Sequence, residues 1–347
     1  MDKITRIGMD TSKRIFQLHG VNEAEQPVLR KKLTRAAMVS FFARLEPTVI
    51  AIEACGAAHH WARKLTRMGH TVRLIAPQLA KPYVKRGKND AADAAALCEA
   101  ASRPTMRYVP VKTVDQQAAL MLAASRERLV RQRIQLANAI RGHAGEFGLV
   151  APKGQSHVAA LLALVQADTD IPALARGVFA GLAADHAHVE ARLAAIDAEL
   201  RAWYRDSAAA QRLTQIPGVG PTIAAMLVMK TPDPKAFRSG RDFAAWLGLT
   251  PKDHSTAGKT RLGRITRAGD ETLRSLLVVG ATAVIWQTRR GTSRRVMPWL
   301  ASLLARKPPK LAAVALANKI ARVAWKLMAS GEAYDLTRAR PEPAAAA

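Results

Sequence analysis

Strand patterns in this sequence are confined to its first quarter, and that confinement restricts the folds open to the chain. Apolar residues at 4–10 and 15–21 flank a tight TSKR turn and predict a hairpin, and residues 26–30 form a possible third strand. Two short β-branched runs follow, at 48–54 and 71–77. Runs of this kind are typical of buried strands in parallel sheets.

The segments between these strands, 34–45 and 57–68, have helical spacing, and an Ala-rich helix capped by Asn89 begins after the basic loop 81–88. Alternation of strand and helix adds a parallel pair to the antiparallel hairpin. The first part of the chain is therefore predicted to be an α/β unit.

Beyond residue 113 the strand patterns vanish and Ala, Leu, Arg and Gln dominate. Two long helices are predicted, 114–146 and 177–208, with an irregular stretch between them that contains Pro152, Gly154 and Pro172. Their imperfect heptad pattern favours a helical hairpin or a coiled coil.

The remainder is predicted to be mostly helical. A Pro-Gly turn opens an apolar helix at 216–229, and further helices are predicted at 239–248, 270–288 and 311–330. The polar, Gly-spaced segment 251–269 is predicted to be a loop or short ribbon. Four segments result: an α/β domain at 1–110, a long-helix region at 111–209, a helical C-terminal domain at 210–332 and a disordered tail at 333–347.

The charge balance indicates a polyanionic partner. The chain holds 53 Lys and Arg against 27 Asp and Glu, a formal charge of +26. Acidic lipid is the competing partner, but no apolar run approaches the ~18 residues of a membrane-spanning helix, and no signal peptide opens the chain. Cys55 and Cys98 are the only cysteines, which fits a reducing cytoplasm. Both are expected to be small buried residues.

Four carboxylates lie at structural corners of this basic chain. Asp10 follows the first strand, Glu53 ends a buried strand, and Asp90 and Asp93 share one face of a helix because they are three residues apart. Turn formation explains Asp10 alone, and the helix dipole explains Asp90 and Asp93 alone. Together the four have the layout that gathers carboxylates at the end of a ribonuclease-H-like sheet. A divalent cation would relieve their repulsion, and two cations ~4 Å apart would clamp a phosphodiester.

A second group of candidate residues lies near the C-terminus. The IPGVGP turn, with Gly218 and Gly220, resembles a helix-hairpin-helix turn, whose backbone approaches phosphate at a helix N-terminus, although a plain turn before a core helix explains it equally well. Ser255 lies in a small polar loop, where a turn or capping role competes with that of a nucleophile. The candidate phosphate contacts are Lys85, Arg86, Lys88, Lys259, Arg261, Arg264 and Arg267.

Over nearly its whole length the chain resembles transposases of insertion-sequence family 110. The resemblance rests on ordered motifs: GMDTSK, IEACG, KNDAADAAAL, QIPGVGPTIA, FAAWLGLTP, HSTAGKTRLGRITRAGDETLRSLLV and ALANKIARVAWKLM. It implies a RuvC-like, ribonuclease-H-like domain with a DEDD set, matched here by Asp10, Glu53, Asp90 and Asp93, and a C-terminal serine domain. Ser255 matches the family serine, and Thr256 stands where many relatives have a second serine.

The resemblance also implies an activity. Such proteins are RNA-guided DNA recombinases, in which a structured non-coding (bridge) RNA pairs with target and donor DNA. The DEDD set would bind Mg²⁺, and Ser255 would bond covalently to the cleaved strand. Homo-oligomers from dimer to tetramer are implied, with the serine of one subunit completing the acidic site of another. A bacterial cytoplasmic, nucleoid-associated location without membrane contact follows.

Two other functions remain open at this stage. A junction-resolving nuclease would use the same metals with water as the nucleophile, which makes Ser255 dispensable. A non-catalytic nucleic-acid-binding protein would use the acids only to cap turns and helices, and its behaviour would not depend on metal.

Overall fold

The computed structural model describes residues 3–85, 89–231, 233–256, 258–259, 261–292 and 297–335. The chain divides into two compact units, Met1–Gln117 and Ala118–Ala347. The first is mixed α/β and the second is largely helical, as the sequence predicts. The predicted segment limits at 110, 209 and 332 stay predictions.

The described residues of the first unit form six strands and four α-helices. In chain order they are β1 (Arg6–Thr11), β2 (Ile15–Val21), β3 (Pro27–Thr34), α1 (Arg35–Ala43), β4 (Val49–Glu53), α2 (Ala58–Arg67), β5 (Thr71–Ile75), α3 (Pro77–Ala80), α4 (Asp90–Ala100) and β6 (Tyr108–Val109). The five predicted strands are all present, whereas two-residue β6 is too short to leave a sequence pattern.

These strands form one sheet in the order β3-β2-β1-β4-β5-β6. The pairs β3-β2 and β2-β1 are antiparallel, β1-β4 and β4-β5 are parallel, and β6 returns antiparallel to β5. Because side chains alternate along a strand, Ile7 and Met9 of β1 face the core formed with α1 and α2, while Gly8 and Asp10 face the opposite side.

Helix α4 packs directly on that opposite side. A Cβ atom at Gly8 would lie 2.0 Å from the carbonyl oxygen of Ala94, so only glycine lets the helix approach β1 this closely. Ala51 of β4 and Leu97 of α4 belong to the small core on this face. The contact brings the start of α4 beside the ends of β1 and β4.

The second unit contains nine helices and a two-stranded ribbon among its described residues. In chain order they are α5 (Val114–Glu146, whose first turn precedes the division), α6 (Val158–Ala167), α7 (Ala173–Asp206), α8 (Ala208–Leu213), α9 (Pro221–Lys230), α10 (Gly240–Trp246), β7 (Pro251–Asp253), β8 (Leu262–Ile265), α11 (Glu271–Arg289), α12 (Pro298–Arg306) and α13 (Pro309–Ser330).

Helices α5 and α7 form an antiparallel hairpin. Ion pairs join Arg126 to Asp197 and Arg133 to Glu190, and the residue numbers fall on one helix as they rise on the other. In the second half of α7 the buried residues follow alternating steps of four and three: Val189, Leu193, Ile196 and Leu200. This spacing is that of a coiled-coil seam. The predicted pair of long helices is therefore present.

Three helices of this unit, α6, α8 and α12, are not in the sequence prediction. Helix α6 occupies part of the stretch predicted to be irregular, and Leu161 and Val165 on it are buried with Phe179. Pro152, Gly154 and Pro172 interrupt the helical pattern on both sides of α6, so the sequence does not indicate its ten helical residues. Helix α12 follows a basic segment that carries no helical period of its own.

A single large core joins α5, α7 and the helices from α8 to α13. The chain continues past α13 along this core, since the N–H of Tyr334 donates to Gln215 Oε1 at 2.9 Å. Of the predicted disordered tail, residues 336–347 lie outside the described residues.

Candidate active site

Two neighbouring parallel strands place Asp10 and Glu53 at the same edge of the sheet. Met9 pairs with Ile52, so the next residue of each strand lies at the same level. Asp10 alternates with Gly8, and Glu53 alternates with Ala51, and both small residues face α4. Both carboxylates therefore lie on the face that α4 covers.

Helix α4 brings the other two acids to this face. Asn89 caps the helix by accepting a hydrogen bond from the Ala92 N–H at 2.8 Å, which fixes where the helix begins. Asp90 and Asp93 stand in its first turn, three residues apart, and so project from one side of the helix.

The electrostatics show that the four acids share one field. The pKa of Asp10 is raised from 3.8 to about 6, first by burial and then by the charges of Asp90, Asp93 and Glu53, while a hydrogen bond from the Thr11 N–H opposes the rise. Each neighbouring carboxylate makes ionisation of Asp10 less favourable. A cation placed among them would reverse that penalty.

The four acids interact, but they are not drawn together into a ligand shell. Among the residues the structure describes, no three His, Cys, Asp or Glu side chains converge closely enough to hold a metal ion. The donor set itself, four carboxylates, is the kind that hard divalent cations prefer. The chemistry of these residues therefore fits a divalent metal, and their ligation stays a prediction.

Cys55 lies next to this edge, and the expectation that it is buried is wrong. It is exposed, with its Sγ 3.6 Å from Thr11 Oγ1, whereas Cys98 is buried as expected. Cys55 follows the end of β4 by two residues, where the chain has already left the sheet.

In the second unit, Ser255 lies in an exposed loop between β7 and β8. Its backbone N–H donates to Asp253 Oδ1 at 2.9 Å, and its Oγ accepts a hydrogen bond from the Arg261 N–H at 3.0 Å. Hydrogen bonds from the Ser255 side chain and backbone lower the pKa of Asp253. The hydroxyl is therefore held between a donor and an acceptor.

Sequence reasoning missed Asp253. The available signal was local, since an Asp two residues before a Ser accepts hydrogen bonds across a turn.

Arg274 anchors the base of this ribbon and was also missed. It is 9% exposed, and its Nη1 donates to the carbonyl oxygens of Leu247 and Ala268 at 2.9 Å each. Gly248 and Gly269 have positive φ at the same point, and a Cβ on Gly269 would lie 1.8 Å from the Trp246 carbonyl oxygen. One buried guanidinium therefore ties together both ends of the segment that carries Ser255.

The predicted phosphate contacts of the ribbon are on its surface. Lys259, Arg261, Arg264 and Arg267 are exposed, and none has an acidic partner within the described part of the chain. Arg267 has a φ of 56°, an uncommon backbone for a residue other than glycine, and its N–H donates to the Gly248 carbonyl. Lys85 in the first unit is also exposed, while Arg86 and Lys88 lie outside the described residues.

The two glycines of the IPGVGP turn differ in their surroundings. Gly218 has a φ of 86°, and a Cβ there would lie 2.8 Å from the Gly280 carbonyl oxygen, so packing on α11 already demands glycine. Gly220 precedes α9 and has open space where a side chain would be. Phosphate contact at both glycines stays a prediction.

Comparisons with known proteins agree over both units. A family model described as a transposase, that of the DEDD domain of IS110 elements, matches residues 7–147, and the model described as "Transposase IS116/IS110/IS902 family" matches residues 210–296. A putative transposase of Sinorhizobium fredii, y4pF/y4sB, is 64% identical over 96% of this chain and 86% of its own length. A probable family 20 transposase of Pseudomonas aeruginosa is 48% identical over 95% and 98%. The transposase for insertion sequence element IS1328 of Yersinia enterocolitica is 38% identical over 96% and 99%.

Proposed function

Because this chain belongs to the IS110 family of insertion-sequence transposases, we propose that it is an RNA-guided DNA recombinase that cuts and rejoins strands through a covalent link to Ser255. The family makes it a DNA transposase. The observation that carries the finer proposal is the placement of Asp10, Glu53, Asp90 and Asp93 on one face at one edge of the sheet.

The first unit has a ribonuclease-H-like, RuvC-like fold. Three antiparallel strands followed by two parallel ones, in the order β3-β2-β1-β4-β5, support this assignment. In this sheet β1 is a central strand, with β2 on one side and β4 on the other. That arrangement gives Asp10 its position between Glu53 on β4 and the first turn of α4.

The four carboxylates would hold Mg²⁺, which supplies positive charge to the reacting phosphodiester when bound. Burial first, and then the charges of the other three carboxylates, raise the pKa of Asp10, and a bound cation would relieve the part that is due to repulsion. Their role is to bind the cation with the correct geometry and, with α4 seated on Gly8, to hold the scissile phosphate at the edge of the sheet.

Ser255 is the nucleophile. Its Oγ forms a bond to the scissile phosphorus as the bond from phosphorus to the 3′ oxygen breaks, and the serine proton ends on the released 3′ oxygen. The 3′ hydroxyl of another strand then attacks the phosphoserine and returns the proton to Ser255. Asp253 accepts a hydrogen bond from the hydroxyl and the Arg261 N–H donates to it, so the loop orients the nucleophile.

The nucleic acids are a bridge RNA, target DNA and donor DNA, held by the basic surface. A formal charge of +26 and the ribbon cations, which have no acidic partner in the described part of the chain, support this part of the proposal. We further propose a homo-oligomer, from dimer to tetramer, in which one subunit's Ser255 serves another's acidic site. No helix in the described ranges is long and apolar enough to cross a membrane. We propose that the protein acts on nucleoid DNA in the cytoplasm.

The test combines Asp10→Asn and Ser255→Ala, alone and mixed, with labelled DNA and Mg²⁺ on denaturing gels. Each variant alone should give no protein–DNA adduct, while the mixture should recover some because one hybrid site has both groups intact. An adduct from Ser255→Ala alone would move the nucleophile to Thr256. Cleavage by that variant without an adduct would instead indicate water. If both single variants and the mixture are inactive, the serine acts within its own subunit.

A further inference from the structure

A second concave site lies in the first unit, away from the four acids. Its volume is ≈580 Å³, which falls in the range of small-molecule and cofactor sites. It is bordered by α4, by the β2-β3 half of the sheet and by the loop that follows α3. Its polar lining includes Arg6, His19, Arg30, Tyr83, Lys85 and Arg103.

The site shares a sheet face with α4 but not the acidic side of that helix. His19 pairs with Gly8 on one side and with Arg30 on the other, so all three positions lie on the face that α4 partly covers. Ala92 and Ala95 line the site. At 100° per residue they lie nearly opposite Asp90 and Asp93 on the helix.

The acids in the lining already have partners. Glu25 pairs with Arg6, and Glu99 pairs with Arg103 at 2.8 Å. These two pairs leave no net charge, and both carboxylates are engaged.

Arg30 and Lys85 are the cations that remain. Neither has an acidic partner within the described ranges. Both lie near His19. The pKa of that imidazole is lowered first by burial and then by the charges of Arg30 and Lys85. A cavity with two cations beside a neutral imidazole repels further cations and attracts an anion.

The remaining walls suit a flat, polar ligand. The small side chains of Ala92, Ala95 and Ala96 leave the volume open, and Tyr83 offers an aromatic ring that Arg103 overlies at 5.7 Å. Aromatic rings and guanidinium groups beside cations are the elements that hold single-stranded nucleic acid.

We propose that this cavity is a phosphodiester-binding site, in which Arg30 and Lys85 hold the backbone of a nucleic-acid strand on the side of α4 away from the acids. The proposal deepens the proposed function, since it locates one strand contact of the same protein. The shared ligand chemistry is the phosphodiester, and DNA and RNA are its two possible sources.

The test measures binding of the full chain without metal, by fluorescence anisotropy, to a single-stranded DNA and an RNA of the same sequence. The variant is Arg30→Ala with Lys85→Ala. The matched control is Lys31→Ala with Lys64→Ala, which removes the same charge from the opposite side of the sheet, where these lysines lie over Phe41 and Trp61.

We expect the cavity variant to bind about tenfold more weakly than the control, with a log–log salt slope smaller by about 1.4 for two lost phosphate contacts. The strand type that shows the larger loss identifies the source. Equal affinities and equal slopes for the two double variants would overturn the proposal. The proposal would also be overturned, in favour of an acidic protein partner, if the cavity variant lost binding to polyglutamate, an acidic polypeptide, while its nucleic-acid binding was unchanged.

A second pair of variants adds charge instead of removing contacts. Ala95→Glu places a carboxylate in the cavity, and Ala91→Glu adds the same charge to the same helix at an exposed position outside it. Only Ala95→Glu should weaken binding beyond the general charge effect, and equal losses would contradict the proposal. If Ala95→Glu binds nucleic acid normally and forms a normal Ser255 adduct, the cavity proposal is wrong and the catalytic proposal stands. If Ala95→Glu binds weakly while Asp10→Asn cleaves DNA fully, the cavity proposal stands and the catalytic proposal is wrong.

Discussion

At the scale of single residues, Asp10 links the fold to the chemistry most directly. Burial first, and then the charges of its neighbours on α4 and β4, raise its pKa to about 6, so in the absence of metal it is protonated in mildly acidic solution. The folded pKa exceeds the unfolded one. The stabilisation of the protonated form is therefore complete below about pH 4 and is lost as the pH rises through about 6.

The first prediction follows from that sign. In metal-free buffer, Asp10→Asn should match the parent in thermal stability near pH 4 and exceed it at pH 7. The expected gain is about 1 kcal/mol, after discounting for the exposed half of the group, or a few degrees in Tm. Calorimetry across this pH range tests it, and Mg²⁺ should close the gap by stabilising the parent alone. A gap that does not change with pH would contradict the shared field of the four acids.

A second prediction concerns Asp253. Asp253→Asn keeps an oxygen that can accept the backbone N–H of Ser255, but it lacks the charge that orients the hydroxyl. We expect adduct formation to slow by about 10- to 100-fold, within the usual effect of a group acting on a nucleophile. Nucleic-acid affinity and Tm should not change, since this side chain is exposed. Asp242→Asn, which breaks an exposed ion pair with Arg238, is the control.

At the scale of elements, the ribbon depends on Arg274 of α11. Arg274→Ala leaves two carbonyl groups without their donor, which costs about 1–3 kcal/mol for a buried group. We expect faster hydrogen exchange across 248–268 and a weaker adduct, with strand binding mostly retained. Arg274→Lys should restore part of the adduct yield because a lysine can reach one carbonyl. Unchanged hydrogen exchange in Arg274→Ala would show that the close backbone packing at Gly248 and Gly269 holds the ribbon without Arg274.

The hairpin of α5 and α7 supplies a fourth prediction. Ile196 is buried in its seam, and Ile196→Ala should lower the free energy of unfolding by about 2–5 kcal/mol. Ala194→Ser, an exposed change two residues away, should cost less than 0.5 kcal/mol. Denaturant titration of both variants checks the seam, and equal midpoints would place Ile196 outside the core.

What the sequence predicts at this scale follows from how local each signal is. β-branched runs such as 48–54 and the long apolar periods of α5 and α7 identify their elements because the pattern and the structure share one period. Helix α6 is hidden by its flanking Pro and Gly residues. The hydrogen bond from Arg274 to the Leu247 carbonyl joins residues 27 positions apart. A contact this distant leaves no local pattern in the sequence, so only the folded structure shows it.

At the scale of the whole molecule, the charge of +26 predicts salt-dependent binding. Affinity for RNA and DNA should fall steeply between ~50 and ~200 mM salt, with a log–log slope of several units. Titration at four salt concentrations measures it. A flat response would show that the basic excess is not the binding surface.

The edges of the sheet have a consequence for solubility. β3 is one outer strand, and it carries Arg30, Lys31 and Lys32 in succession, while the other outer strand, β6, has only two residues. Outer strands with free backbone groups are templates for aggregation unless they are charged or short. Among the described residues, this sheet therefore has one outer strand that is charged and one that is short, and both features disfavour the addition of a strand from another, partly synthesised copy.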